Sequence, residues 1–185
     1  MQHLGTAILE TQRLILRPFR VEDAEAMYLN WAGDAEVTKY LRWPAHESTK
    51  ISQYVMEDWV SHYDEPDYYQ WAITIRNIGD EPIGSISVID KNDRIGMAHI
   101  GYCIGRKWWN KGIASEALEA VIGYFFTEVG MNRIESIHDP RNPNSGKVMQ
   151  KCGMNYEGTM READWNNQGI CDASMYAILK KEYCV

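Results

Sequence analysis

Between Leu14 and Phe19, Leu14, Leu16 and Pro18 alternate with Ile15, Arg17 and Phe19, and this two-residue period predicts an opening strand. After Val21-Glu22-Asp23 the period lengthens. Ala24, Met27, Tyr28 and Trp31 recur at helical spacing, and Glu47 to His62 reads as a second helix, with Ile51, Val55 and Trp59 at steps of four. Three strands follow: Tyr69–Arg76, Ile83–Asp90 and Met97–Ile104. Asn77-Ile78-Gly79-Asp80 and Lys91-Asn92-Asp93-Arg94 separate them, which is the pattern of an antiparallel meander. Ile113, Ala117, Leu118, Val121, Ile122, Phe125 and Val129 then form the clearest apolar stripe in the chain. Arg133–His138 is a further strand. Asn144–Cys152 is a short helix with Gly153 at its C′ position, and Asn155–Met160 and Asp172–Leu179 close the pattern as strands. Strand, helix, strand across residues 97–138 implies a parallel crossover attached to the meander. The fold class expected is therefore α/β or α+β, with a mixed, mainly antiparallel sheet of about seven strands.

Composition narrows the function classes. The 185 residues suit one domain over 1–185, with no internal repeat or long linker. No run approaches the ~18 consecutive apolar residues of a membrane helix, and Met1 to Gly5 lacks the basic, apolar start of a signal peptide. A cytoplasmic protein with no membrane partner is expected. Cys103, Cys152, Cys171 and Cys184 are irregularly spaced without C-x-x-C, which argues against a zinc site or disulfide framework and for free thiols. A net charge of −7 argues against nucleic-acid binding. It is compatible with a cationic acceptor, although modest acidity commonly serves solubility alone.

The candidate chemistry lies in Gly105-Arg106-Lys107-Trp108-Trp109-Asn110-Lys111-Gly112-Ile113-Ala114-Ser115, between a strand and the strong amphipathic helix. The first N–H groups of a helix lack internal partners, and the helix dipole adds partial positive charge, so this end suits phosphate oxygens. Gly112 lets a ligand approach the backbone, and Arg106, Lys107 and Lys111 add positive charge. The competing reading is a plain strand-to-helix turn with exposed basic residues. Neither a P-loop nor the dinucleotide fingerprint is present.

The segment Trp109-Asn110-Lys111-Gly112-Ile113-Ala114 resembles the signature of the GCN5-related N-acetyltransferases: Gln or Arg, two free positions, Gly, one free position, then Gly or Ala. Trp109 departs at the first position, as in the branch of ribosomal-protein N-terminal acetyltransferases. Thr11-Gln12-Arg13-Leu14-Ile15-Leu16-Arg17, Ile100-Gly101-Tyr102, Asn142-Pro143-Asn144-Ser145, Lys151-Cys152-Gly153-Met154 and Gly158-Thr159-Met160-Arg161-Glu162 resemble that branch in order and spacing. The resemblance implies helices on both faces of a sheet that splays between Met97–Ile104 and Arg133–His138, with acetyl-coenzyme A (acetyl-CoA) in the cleft. Backbone amides of Asn110, Lys111, Gly112, Ile113, Ala114 and Ser115 would hold the pyrophosphate. Backbone groups near Cys103 and Ile104 would pair with the pantetheine arm and the acetyl oxygen, and Asn142 and Ser145 would face the sulfur.

The implied activity is direct transfer of an acetyl group to a primary amine, either a protein N-terminus such as that of a ribosomal protein or a small amine such as a polyamine, amino sugar or antibiotic. A non-catalytic acetyl-CoA-binding module is the reading from another class. The branch often carries Glu where this chain has His99, which can serve as general base or as a hydrogen-bonded structural residue. A tyrosine acid used elsewhere in the family is replaced by Met149. Ser145 is the substitute, with helix capping as its other role. A covalent route through Cys103 is the minor alternative. Acceptor specificity is expected from the two early helices and an Ala163–Gly169 loop, no metal is expected, and the chain is expected to be a monomer or homodimer.

Overall fold

Leu14, Leu16, Trp71 and Ile73 are fully buried against the amphipathic helix, so the alternation in the first half of the chain marks true core strands. The computed structural model describes residues 1–183. Its eight strands form one sheet in the order β1-β2-β3-β4-β5-β6-β8-β7. They are β1 (Leu9–Glu10), β2 (Leu14–Pro18), β3 (Gln70–Ile75), β4 (Gly84–Asn92), β5 (Met97–Ile104), β6 (Arg133–His138), β7 (Asn155–Asn166) and β8 (Gly169–Leu179). Neighbours are antiparallel except β5 and β6, which run parallel.

The helices are α1 (Ala24–Met27), α2 (Ala35–Thr38), α3 (Thr49–Ser61), α4 (Ile113–Tyr124) and α5 (Pro143–Lys151). The stripe read from the sequence is the buried face of α4 and its continuation through Phe125, Phe126 and Val129. Gly130, at φ 81°, ends that run in the left-handed conformation that glycine adopts without a Cβ penalty. α4 and α5 lie side by side on one face of the sheet. On the opposite face Phe19, Met27, Trp31 and Met56 form a second cluster over Ala72, carried by α1 and α3.

Several expectations change. The two-residue β1 is an added strand. The first helix is a succession of short turns, in which α1 runs into a π-helical turn at Tyr28–Ala32, and the separate α2 follows. In α3 the buried residues are Ser52 and Met56, whereas Ile51 is 40% exposed. Val55 and Trp59 pack against the second cluster as the stripe implies, while Ile51 lies at the rim and the buried Ser52 hydroxyl bonds His46 Nδ1 at 2.8 Å. The Ala163–Gly169 loop is instead the tip of a long hairpin, since β7 continues to Asn166 through two irregularities in its pairing. That tip docks on the α2 side: Asn167 donates to the Thr38 and Trp43 carbonyls, each at 2.8 Å, and Arg42 pairs with Asp164 at 2.6 Å. Cys103, Cys152 and Cys171 are free thiols, whereas Cys184 lies outside the described residues.

Candidate functional site

The sheet opens where the parallel ladder stops. β5 and β6 pair only at Met97–Arg133, Ala98–Ile134 and His99–Glu135, after which the strands part. The Ser136 hydroxyl donates to the Ile100 carbonyl at 2.7 Å, a buried tie at the edge of the opening. Beyond it β5 has a free edge. Gly105 donates to Ile83 in the β4 direction, while the Ile100 and Ile104 carbonyls meet partners on the other side. By strand alternation the backbone groups of Tyr102 and Ile104 therefore face the cleft, and those of Cys103 face β4. Of the two residues expected to offer backbone groups there, Ile104 has the right parity. Cys103 does not, since its backbone groups face β4. The Ile104 carbonyl is already used by the Trp109 indole N–H at 2.8 Å, so Ile104 offers its N–H.

After β5 the chain turns through Arg106–Trp108 and then through two left-handed residues, Asn110 at φ 59° and Gly112 at φ 74°. Gly112 is the N-cap of α4, and the first helical bond runs from the Glu116 N–H to its carbonyl at 3.1 Å. The N–H groups of Ile113, Ala114 and Ser115 thus lie ahead of the helical ladder. A Cβ on Gly112 would stand 3.3 Å from Lys151 Nζ and 3.5 Å from the Arg13 guanidinium. Bare amides, an open glycine and two cations suit a pyrophosphate.

Cations not singled out in the sequence also lie beside the turn. Arg106 is paired with Asp34 at 2.8 Å and Lys107 lies over the Trp108 ring, while Arg13 and Lys151 border Gly112. Arg13 is held there by Glu116 at 2.6 Å and by the Lys111 carbonyl at 3.0 Å. The Thr11 hydroxyl also donates to Glu116, at 2.6 Å. Arg13 was legible only as part of the opening motif, and its approach to the turn depends on β2 packing against α4.

Across the opening, α5 begins at Asn142, its N-cap residue, followed by Pro143. Ser145 is in the first turn and is not the cap. Its hydroxyl oxygen accepts from Asn142 Nδ2 at 3.2 Å, which leaves its own O–H free to donate. The Tyr102 hydroxyl donates to the Ser145 carbonyl at 2.9 Å, linking β5 to α5 over the cleft. Burial pushes the Tyr102 phenol well above its ordinary value, so the hydroxyl keeps its proton. Met149 is core, consistent with an apolar side chain at that position.

His99 lies on the sheet face opposite α4. Its Nδ1 is 3.5 Å from Glu135 Oε1, and the two side chains are 14% and 13% exposed. Glu135 also receives Arg133 Nε at 2.7 Å, and its carboxyl is held below the usual range by His99 and Arg133 against the opposing effect of burial. Sequence reading missed Glu135 because a polar residue in a half-buried strand reads as a solvent-facing position. The usable signal was register: His99 and Glu135 are each the third residue of the two strands predicted to run parallel. Among the described residues no group of three or more His, Cys, Asp or Glu side chains is placed to hold a metal, and no helix is long and apolar enough to cross a membrane.

Comparison with known proteins agrees with this geometry. Residues 13–155 match the family model of the acetyltransferase (GNAT) domain. An uncharacterised N-acetyltransferase, p20 of Bacillus licheniformis, is 35% identical over 181 residues, covering 95% of this chain and 97% of that one. The ribosomal protein uS5 alanine N-acetyltransferase of Escherichia coli is 36% identical over 64 residues, or 35% of this chain and 33% of that one. Among solved structures, a GNAT-family acetyltransferase of Bacillus anthracis superposes with a TM-score of 0.83 at 25% identity, over 95% of this chain and 99% of that one. A microcin C7 self-immunity acetyltransferase in complex with acetyl-CoA and AMP has the same fold, with a TM-score of 0.82 at 20% identity over 91% of this chain and 93% of that one. The chain therefore belongs to the GNAT acetyltransferase family and is an acetyl-CoA-dependent N-acetyltransferase.

Proposed function

We propose that this chain acetylates the α-amino group of a protein N-terminus by direct transfer, with His99 as general base. The observation that carries the reading is the position of His99 in the last paired rung of β5 and β6, where the strands part. Bound acetyl-CoA supplies the activated acyl group. The amides of Asn110, Lys111, Gly112, Ile113, Ala114 and Ser115, with Lys151 and Arg13 alongside, hold its pyrophosphate. The Tyr102 and Ile104 N–H groups line the pantetheine arm, and one of them stabilises the carbonyl oxygen as charge develops. Asn142 and Ser145 face the sulfur.

In the reaction His99 takes a proton from the acceptor ammonium, and the freed nitrogen attacks the acetyl carbon. As the C–N bond forms and the C–S bond breaks, Ser145 passes a proton to the departing sulfur and recovers one from the acylated nitrogen. Burial raises the Cys103 thiol, so it stays protonated and is a poor nucleophile, which supports direct transfer. The partial likeness to the uS5 alanine enzyme favours a protein N-terminus. The sheet face that carries His99 continues past Arg133 to an open surface depression bordered by Glu157, Met160 and Met175.

The test follows release of coenzyme A thiol across N-terminal peptides, polyamines and aminoglycosides. Turnover of peptides at far higher kcat/KM than of small amines is expected, with a rate loss on the order of 100-fold or more for His99→Gln. Preference for a polyamine or aminoglycoside would overturn the acceptor assignment, and acetyl-CoA binding without turnover of any amine would overturn catalysis.

A further inference from the structure

The rung that carries His99 also carries a charge network extending to the sheet edge. Glu135 Oε1 faces His99 Nδ1 at 3.5 Å, and Glu135 Oε2 is fixed by Arg133 Nε at 2.7 Å. The Arg133 fork in turn grips Glu157 of β7 at 2.9 and 2.6 Å. The Glu135 side chain is thus held from two sides, with its charge turned toward the imidazole. On the other flank Asp90 of β4 is in register with His99, but one of its oxygens accepts the Lys91 N–H at 2.8 Å. Among the described residues, His99 Nε2 makes no hydrogen bond to the protein.

Resting on the assignment of His99 as base, we propose that Glu135 is its positioning residue. The carboxylate holds the proton on Nδ1, leaves the Nε2 lone pair to accept the amine proton, and stabilises the imidazolium formed. At 3.5 Å the contact is loose before reaction and strengthens once the ring is charged. The depressed Glu135 carboxyl agrees, because it keeps the group anionic throughout the working range of a histidine. Base and positioning group sit on two strands of one three-rung ladder, so the fold that opens the cleft also aligns the pair.

Glu135→Gln keeps the shape and removes the charge. At saturating acetyl-CoA, kcat is expected to fall by about 10-fold or more, less than the about 10⁴-fold supported by a tightly bonded triad aspartate. KM for acetyl-CoA is expected to hold. Glu135→Asp, which keeps the charge, restores most of the rate. Imidazole ¹⁵N shifts in the unaltered enzyme report a proton on Nδ1, and Glu135→Gln yields a mixture of tautomers.

If Glu135→Gln keeps the full rate and a ring protonated on Nδ1 alone while His99→Gln is inactive, the positioning role fails and the base stands. Full activity in His99→Gln overturns both. An Nε2-protonated ring in the unaltered enzyme overturns the positioning role without any variant.

Discussion

The two parts of the sheet on either side of the parallel seam are built differently. β1 to β5 form a meander covered on both faces, by α4 on one and by α1 and α3 on the other, and β3 is buried along nearly its whole length. β6, β8 and β7 have α5 on one face, while β7 is exposed along most of its twelve residues and held in place by ion pairs such as Arg133–Glu157 and Arg42–Asp164. The first part derives its order from apolar packing, which is costly to disturb. The second shares that core through Ile134, Met154, Tyr176 and Ile178, and its outer strand β7 adds polar contacts, each worth less but spatially selective. The seam joins a frame buried on both faces to a wall whose outer strand is exposed.

Substitutions can break that contrast. The largest effect is expected from Trp71→Ala in the frame, a loss of about 3–5 kcal/mol in chemical denaturation. A loss below about 1 kcal/mol would refute the claim that the meander dominates stability. Next comes Gly112→Glu, which sets a carboxylate beside Lys151 and Arg13 where the pyrophosphate is proposed to lie. Acetyl-CoA binding by calorimetry should weaken by roughly 30-fold, about 2 kcal/mol. Gly112→Ala shares the strain of a positive φ, about 1 kcal/mol, without the charge, and should bind far better. Equal weakening in the two variants would assign the effect to the backbone.

In the wall, Asp139 offers a pH test. Its carboxyl is buried, which opposes ionisation, yet hydrogen bonds from Arg141 and Asn166 depress it from 3.8 to about 2. Its contribution, about 1–2 kcal/mol, is in place above about pH 4 and is lost as pH falls through about 2. Asp139→Asn should flatten the fall in stability across that window, and an unchanged acid profile would count against the network. Smallest of all is Ile170→Ser at the hairpin, where the side chain is 72% exposed and the change should stay within about 0.5 kcal/mol.

The same contrast explains what the sequence disclosed. The frame announces itself through period. Leu14 and Leu16 alternate, the α4 stripe recurs at helical spacing, and Gly112 marks the turn. The wall does not, because its outcomes are decided by partners distant in sequence. β7 runs on to Asn166 although its alternation is broken by two irregularities. Arg13 and Lys151 converge on Gly112 from elements far apart in the chain. Glu135 becomes meaningful only when register sets it against His99. The backbone geometry of the turn before α4 was therefore legible in the sequence, while the side chains gathered around it required the fold.

Ser136 gives the seam a further significance. One hydroxyl caps a three-rung ladder, so the place where two strands separate is recorded in a single oxygen atom bonded to Ile100. Ser136→Ala would leave the buried Ile100 carbonyl without that partner at the very point where the two strands part.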